Sequence, residues 1–279
     1  MDGARSASFT QVSVPDGYER FMLRQLFEPW AAELIARADV RPGSHVLDVA
    51  TGLGPVARLA AAAAGPGGRV VASDISAAML AAAAAAAAAT PSDARQAPVE
   101  YMECPASAIP VADASFDAVL CQQGLQFFPD RAAAVREMCR MAKPGAAVVV
   151  STWAAGHPLG LFGAINETLR EAGVAEPFPR AVDSASYQLG DVELAGLFRA
   201  AGLSDVAVET ITLEAAWPTA EEATATLLGT PFGPLVAAIP GEAQRRLRER
   251  LAVRLGASPA ADGVTVRTVS NIARGVRQR

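Results

Sequence analysis

Four residues carry the chemistry this sequence most readily offers: Asp48, Gly52, Gly54 and Asp74. The first three lie in VLDVATGLGPVARLA, Val46 to Ala60, where a short apolar run breaks at a carboxylate and then turns through two glycines. Glycines at such a turn let the backbone approach a ligand. Gly52-Leu53-Gly54-Pro55-Val56-Ala57 formally matches the G-x-G-x-x-G/A pattern that receives a dinucleotide. Asp74 follows Gly52 by 22 residues, near the spacing of an acid that bonds ribose hydroxyls.

Asp48 opposes the dinucleotide reading. A carboxylate at the same strand end repels a pyrophosphate, and burying it without a partner is costly. A ligand with positive charge beside the turn reverses that sign. S-adenosyl-L-methionine is such a ligand, with no phosphate but an α-ammonium and a sulfonium. Asp48 then faces its amino-acid end, directly or through water, and Asp74 accepts from its ribose hydroxyls. Plainer readings stay open for both acids. Asp48 could be satisfied by N–H groups of its own turn, and Asp74 could be a helix N-terminal acid before ISAAML, although Ser76 can supply that cap instead.

The glycine turn does not stand alone. VLDVA-x-G-x-G is followed in order by VVASDISAAML, IPVADASFDAVLCQQGLQFFPD and AAAVREMCRMAKPGAAVVVSTW. Over Tyr18 to Trp153 the sequence resembles the class I S-adenosylmethionine-dependent methyltransferases, in the small-molecule branch called methyltransferase type 11-like. YQLGDVELAGLFRAAGL and SNIARG extend a weaker likeness into the tail. The resemblance implies that Gly52 and Gly54 admit the methionine and ribose, with Ala50 standing where the family often has glycine. It implies that Asp74 and Ile75 hold the ribose and flank the adenine, with Met79 packing nearby. Gln122 would lie beside the sulfonium, and Gln123 and Gln126 would reach the pocket. In PASAIP, Pro105 stands where an aspartate normally accepts from the adenine amino group, leaving the Ala106 N–H and Ser107 to read the ring.

The elements that must position these residues alternate. Helical periodicity runs from about Gly17 to Ala38, His45–Ala50 reads as a buried strand, and Pro55 can open a helix. GPGG ends that helix, Arg69–Ser73 is a second strand, and the alanine run Ala77–Ala89 is a helix. Strands at Val99–Glu103, Ala118–Gln122 and Ala146–Trp153 follow, the last two separated by a helix at Arg131–Met141 and a Lys143-Pro144-Gly145 turn. Helices are expected at Leu159–Ala172 and Asp191–Ala201, strands at Val206–Leu213 and Val264–Ile272, and broken helix from Pro218 to about Leu255. The expected fold is α/β, a Rossmann-like seven-stranded mostly parallel sheet with helices on both faces and a helical cap inserted near the C-terminus. Within one domain, residues 1–44 would cover the cofactor, 45–156 bind it, and 157–279 complete the sheet and carry the cap.

Bulk properties narrow the partners. The 279 residues carry 24 basic and 29 acidic side chains, a net charge of −5, so nucleic acid is disfavoured. The short basic run RRLRER, at helical spacing with leucines, reads as a solvated helix face. Cys104, Cys121 and Cys139 are widely spaced and only two histidines are present, which offers neither a disulfide framework nor a zinc site and suggests a reducing, cytoplasmic setting. MDGARSASFTQV lacks an apolar signal core and reads as a loose leader, and no segment reads as a membrane span.

Methyl transfer from a sulfonium is an in-line displacement, and alignment alone contributes on the order of 7–11 kcal/mol. A base is needed only when the acceptor must lose a proton. His157, after the fifth strand, is the candidate base, with a backbone-bonded loop histidine as the plainer alternative. Tyr18 and Phe21 could line the acceptor site or serve the core. The acceptor is expected to be a lipophilic or aromatic small molecule beneath LLGTPFGPLVAAIP, a stretch that could equally be a homodimer face. A non-methylating cyclase on the same cofactor, a nicotinamide oxidoreductase and a non-catalytic partner subunit are the competing readings.

Overall fold

The computed structural model describes residues 18–89, 94–157, 167–173, 188–228, 239–254 and 263–278. Seven strands form one sheet in the order β3-β2-β1-β4-β5-β7-β6. They are β1 (His45–Val49), β2 (Arg69–Asp74), β3 (Val99–Glu103), β4 (Phe116–Gln122), β5 (Ala142–Trp153), β6 (Leu203–Trp217) and β7 (Val264–Arg277). β1 to β5 run parallel, while β7 is antiparallel to both neighbours. Val46, Leu47, Val119, Leu120, Val148 and Val149 are all fully buried, as central parallel strands covered on both faces require.

The helices follow from local signals. A π-helix (Tyr18–Phe27) leads into α1 (Glu28–Arg37). Pro55 opens α2 (Pro55–Ala64), where its missing N–H costs nothing. The Ser76 hydroxyl accepts from the Met79 N–H at 3.3 Å at the start of α3 (Ala77–Ala89). Asp130 caps α4 (Arg131–Met141) by accepting from the Ala133 N–H at 2.8 Å. α5 (Asp191–Ala200) precedes β6, and α6 (Ala220–Leu228) and α7 (Gly241–Arg254) fill the interval between β6 and β7.

Side-chain alternation divides the core in two. On one face Val46, Leu120 and Val149 pack with Trp30 and Leu34 of α1, Val56 and Ala60 of α2, and Leu247 and Leu251 of α7. On the other, Leu47, Val119 and Val148 pack with Val135 and Met138 of α4 and with Leu194 and Phe198 of α5. The RRLRER run is indeed a solvated face of α7: Arg246 pairs with Glu242 within the helix, and Arg250 reaches Glu171.

Several boundaries differ from the sequence reading: β4 begins at Phe116 rather than Ala118, and β7 runs to Arg277 rather than Ile272. Lys143-Pro144-Gly145 is not a turn before β5 but a bulge inside it: Phe116 pairs with Ala142, yet Ala118 pairs with Ala147. Lys143 Nζ lies 2.8 Å from both Asp117 carboxylate oxygens, which ties the bulge to β4. β6 is longer than expected because its alternating exposed residues continue along the sheet edge to Trp217. Of the helix expected at Leu159–Ala172, residues 167–171 are helical, and its first part lies outside the described residues.

Candidate active site

The sheet order reverses about β1, and the C-terminal ends of β1, β2 and β4 flank that switch point, where open α/β sheets bind ligands. Ala50, Gly52 and Gly54 turn the chain there with φ of +56°, +55° and +76°. A Cβ on Gly52 would meet nothing within 4 Å, so the crest of the turn is open. Ala50 occupies a left-handed position that favours glycine, at a cost of about 1–2 kcal/mol.

Asp48 lies beneath this turn, only 1% exposed. Its Oδ2 accepts from the Thr51 hydroxyl at 2.6 Å, while its Oδ1 has no hydrogen-bond partner among the described residues. Burial pushes its carboxyl up to about 7, against the pull of the Thr51 hydroxyl and of the Ala57 N–H at the start of α2, and with a smaller push from the Asp74 charge. Asp74 bridges the loop, its Oδ2 accepting from the Gly52 N–H and its Oδ1 from the Ser76 N–H, both at 2.9 Å. Burial raises the Asp74 carboxyl too, opposed by those N–H groups. Two carboxylates at one turn disfavour a pyrophosphate and favour a cation.

The other expected residues lie on the π-helix, at the start of α3, at the end of β4 and on the loops that follow β2, β3, β4 and β5. Ile75 is an exposed apolar side chain beside Asp74, fit to flank a flat base. Met79 packs with Leu53 of the turn and Leu23 of the π-helix, so the N-terminal segment touches the glycine loop. Pro105 and Ser107 are exposed and Ala106 is half-buried, in a turn closed by the Ala108 N–H on the Pro105 carbonyl at 3.0 Å. Gln122 Nε2 donates to the Phe27 carbonyl at 2.9 Å, and Gln123, at φ +50°, donates to Ser270 Oγ at 2.8 Å. Gln126 is 1% exposed, and neither polar atom of its amide has a partner. Tyr18 and Phe21 belong to the π-helix, but their side chains lie outside the described residues, as does 229–238 of the cap stretch. The His157 side chain is exposed on the turn after β5, and its carbonyl accepts from Gln188 Nε2 at 2.7 Å.

Sequence reasoning missed four contributors. Thr51 holds Asp48, and its place three residues on in the same motif was the available signal. Arg58 donates to the Leu53 carbonyl at 2.8 Å and to Glu28 Oε1 at 3.1 Å, joining the crest of the turn to α1. Gly124 lets the loop after β4 close on β1, since a Cβ there would sit 2.7 Å from the Ala50 Cβ. Ser151 is a fully buried hydroxyl, marked in sequence only as a polar break after VVV.

S-adenosylmethionine fits this donor set: Asp48 Oδ1 offers an unpartnered acceptor to the ammonium, Asp74 an acceptor pair to the ribose, and the open turn space for the chain between them. When bound, it supplies an electrophilic methyl group on a sulfonium that is itself the leaving group. The seven-stranded sheet, doubly wound with an antiparallel β7, is a Rossmann-like methyltransferase fold.

Residues 47–150 match the family described as methyltransferase domain. A ubiquinone/menaquinone biosynthesis C-methyltransferase of Xanthomonas campestris is 39% identical over 116 residues, 42% of this chain and 45% of that protein. An uncharacterized protein of Mycobacterium tuberculosis is 34% identical over 149 residues, 53% of this chain and 50% of its own. The chain thus spans about half the length of the curated relatives it matches. Phosphoethanolamine N-methyltransferase 2 of Haemonchus contortus, solved with S-adenosyl-L-methionine, shares the fold with a TM-score of 0.64 at 20% identity, over 99% of this chain and 60% of that one. The [4+2]-cyclase SpnF shares it with a TM-score of 0.52 at 18% identity, over 90% and 80%.

Proposed function

We propose that the protein transfers the methyl group of S-adenosylmethionine to a small metabolite with a lipophilic or aromatic body. The carrying observation is the buried Asp48 with one free oxygen beneath an open glycine turn, an arrangement suited to a cationic ligand. The Xanthomonas relative, a ubiquinone/menaquinone biosynthesis C-methyltransferase, supports an aromatic acceptor. Residues 45–156 hold the cofactor, the segment through α1 covers it, and α6 and α7 contribute the acceptor side. His157, exposed on the turn after β5, is the candidate base where the acceptor must lose a proton.

Calorimetry with S-adenosylmethionine and NADH tests the cofactor, with binding expected for the former alone. Formation of S-adenosylhomocysteine with phenols, amines and lipid-like acids tests the transfer. NADH binding in place of S-adenosylmethionine overturns the reading. Acceptor conversion without S-adenosylhomocysteine identifies a cyclase instead.

A further inference from the structure

Beyond the cofactor contacts, a second set of buried polar atoms lies on one face of the sheet. Val46, Leu120 and Val149 face the core beneath α1 and α2, so Asp48, Gln122 and Ser151, each two residues further on, face the same way. Gln122 and Ser151 are cross-strand partners. Gln123 reaches over the β5 end to Ser270 on β7, which belongs to that face as well. Among the described residues, Gln122 Oε1, Gln123 Oε1 and Ser151 Oγ have no partner, and neither polar atom of the Gln126 amide three residues along is paired. These four residues are 9%, 7%, 0% and 1% exposed. Thr152 Oγ1 is unpaired too but points to the opposite face. Leaving such groups buried and unpaired costs about 1–3 kcal/mol each, a cost that persists where a ligand meets them.

The cofactor does not use them all. Asp48, Asp74 and the turn already answer its amino-acid and ribose ends, and β5 lies two strands from β1, roughly 10 Å away. Among the described residues, the row contains amides and hydroxyls but no cation. The two flanking arginines are engaged, Arg58 by the Leu53 carbonyl and Glu28, and Arg131 by the Gln126 carbonyl and Glu193. The π-helix closes over the row through the Gln122 amide on Phe27, and π-turns concentrate at functional sites.

We infer that Gln122, Gln123, Gln126 and Ser151 form the recognition site for an uncharged hydrogen-bonding group on the methyl acceptor, a hydroxyl, carbonyl or carboxamide, and that phosphate and carboxylate acceptors are rejected. The inference rests on the methyltransferase reading. An amide can donate and accept, and a serine hydroxyl can do either, so the row complements a neutral head group that does both. An anion would displace water there without gaining a countercharge.

The test uses the full chain with Ser151→Ala and Gln126→Met. Each variant removes an unpaired polar group, so melting of the unliganded protein is expected to rise by about 2–4 °C. S-adenosylmethionine affinity should stay within about twofold, while kcat/KM for a neutral phenol or hydroxyquinone falls at least roughly tenfold. Matched acceptors bearing a carboxylate or phosphate in place of the hydroxyl should be methylated more slowly by the unaltered protein. A melting temperature lowered in both variants assigns these groups to the structure and overturns the inference. Faster turnover of the anionic acceptors overturns it as well. Loss of S-adenosylmethionine binding by the unaltered protein would instead strike the methyltransferase reading, so the two failures are distinguishable.

Discussion

Asp48 is where burial and charge conflict most directly. Its carboxyl is raised to about 7 in the folded protein, above the ordinary carboxylate value that it regains on unfolding. Between those values the folded state holds a proton that the unfolded state has lost, so this group lowers stability as pH rises from about 4 to about 7. Unliganded protein is therefore expected to melt higher at pH 5 than at pH 8 on this account, and Asp48→Asn should flatten that slope. A cation beside Oδ1 favours the ionised form, so cofactor binding near pH 6.5 should release a proton. Calorimetry in two buffers of different ionisation enthalpy reads that release directly, and Asp48→Asn should abolish it while weakening binding at least about tenfold. The Asp48, Gly52, Gly54 and Asp74 set was legible because motif spacing carries it. Thr51 and Ser151 were not, because a hydroxyl's role depends on which oxygen or void it meets after folding.

The elements act through their joints. Arg58 links the crest of the glycine turn to the first residue of α1, and the pair it makes with Glu28 is partly exposed, worth at most about 1 kcal/mol. Arg58→Met should therefore change melting by only a few degrees while weakening cofactor binding several-fold, since the turn loses its tie to the covering helix. Gly124→Ala should act more severely. Its Cβ would meet Ala50 at 2.7 Å and Cys121 Sγ at 2.9 Å, forcing the β1 and β4 loops apart at a cost of about 1–3 kcal/mol. Chemical denaturation should show that loss together with reduced cofactor affinity. Helix and strand identity was largely readable from apolar runs, and Val99–Glu103 and Arg131–Met141 match the expected bounds. The start of β5 was not, because Pro144 and Gly145 signal a turn locally, whereas the Lys143–Asp117 ion pair holds the bulge within the strand.

At the scale of the whole molecule, the two ends of the α6–α7 insertion meet: Trp217 and Val264 are register partners. Replacing residues 219–262 with a short hairpin turn should leave the β6–β7 pairing in place. Cofactor affinity is expected to persist within about threefold, while acceptor turnover disappears. The protein should also become less stable, because Leu247 and Leu251 no longer pack on the core. Circular dichroism, calorimetry and S-adenosylhomocysteine formation separate those outcomes. The chain departs from and rejoins the hairpin at a single doorway, yet Leu247 and Leu251 fix what is housed between to the same core as β1 and β4. A lineage built this way can refurnish the room around those fixings while leaving the foundations alone.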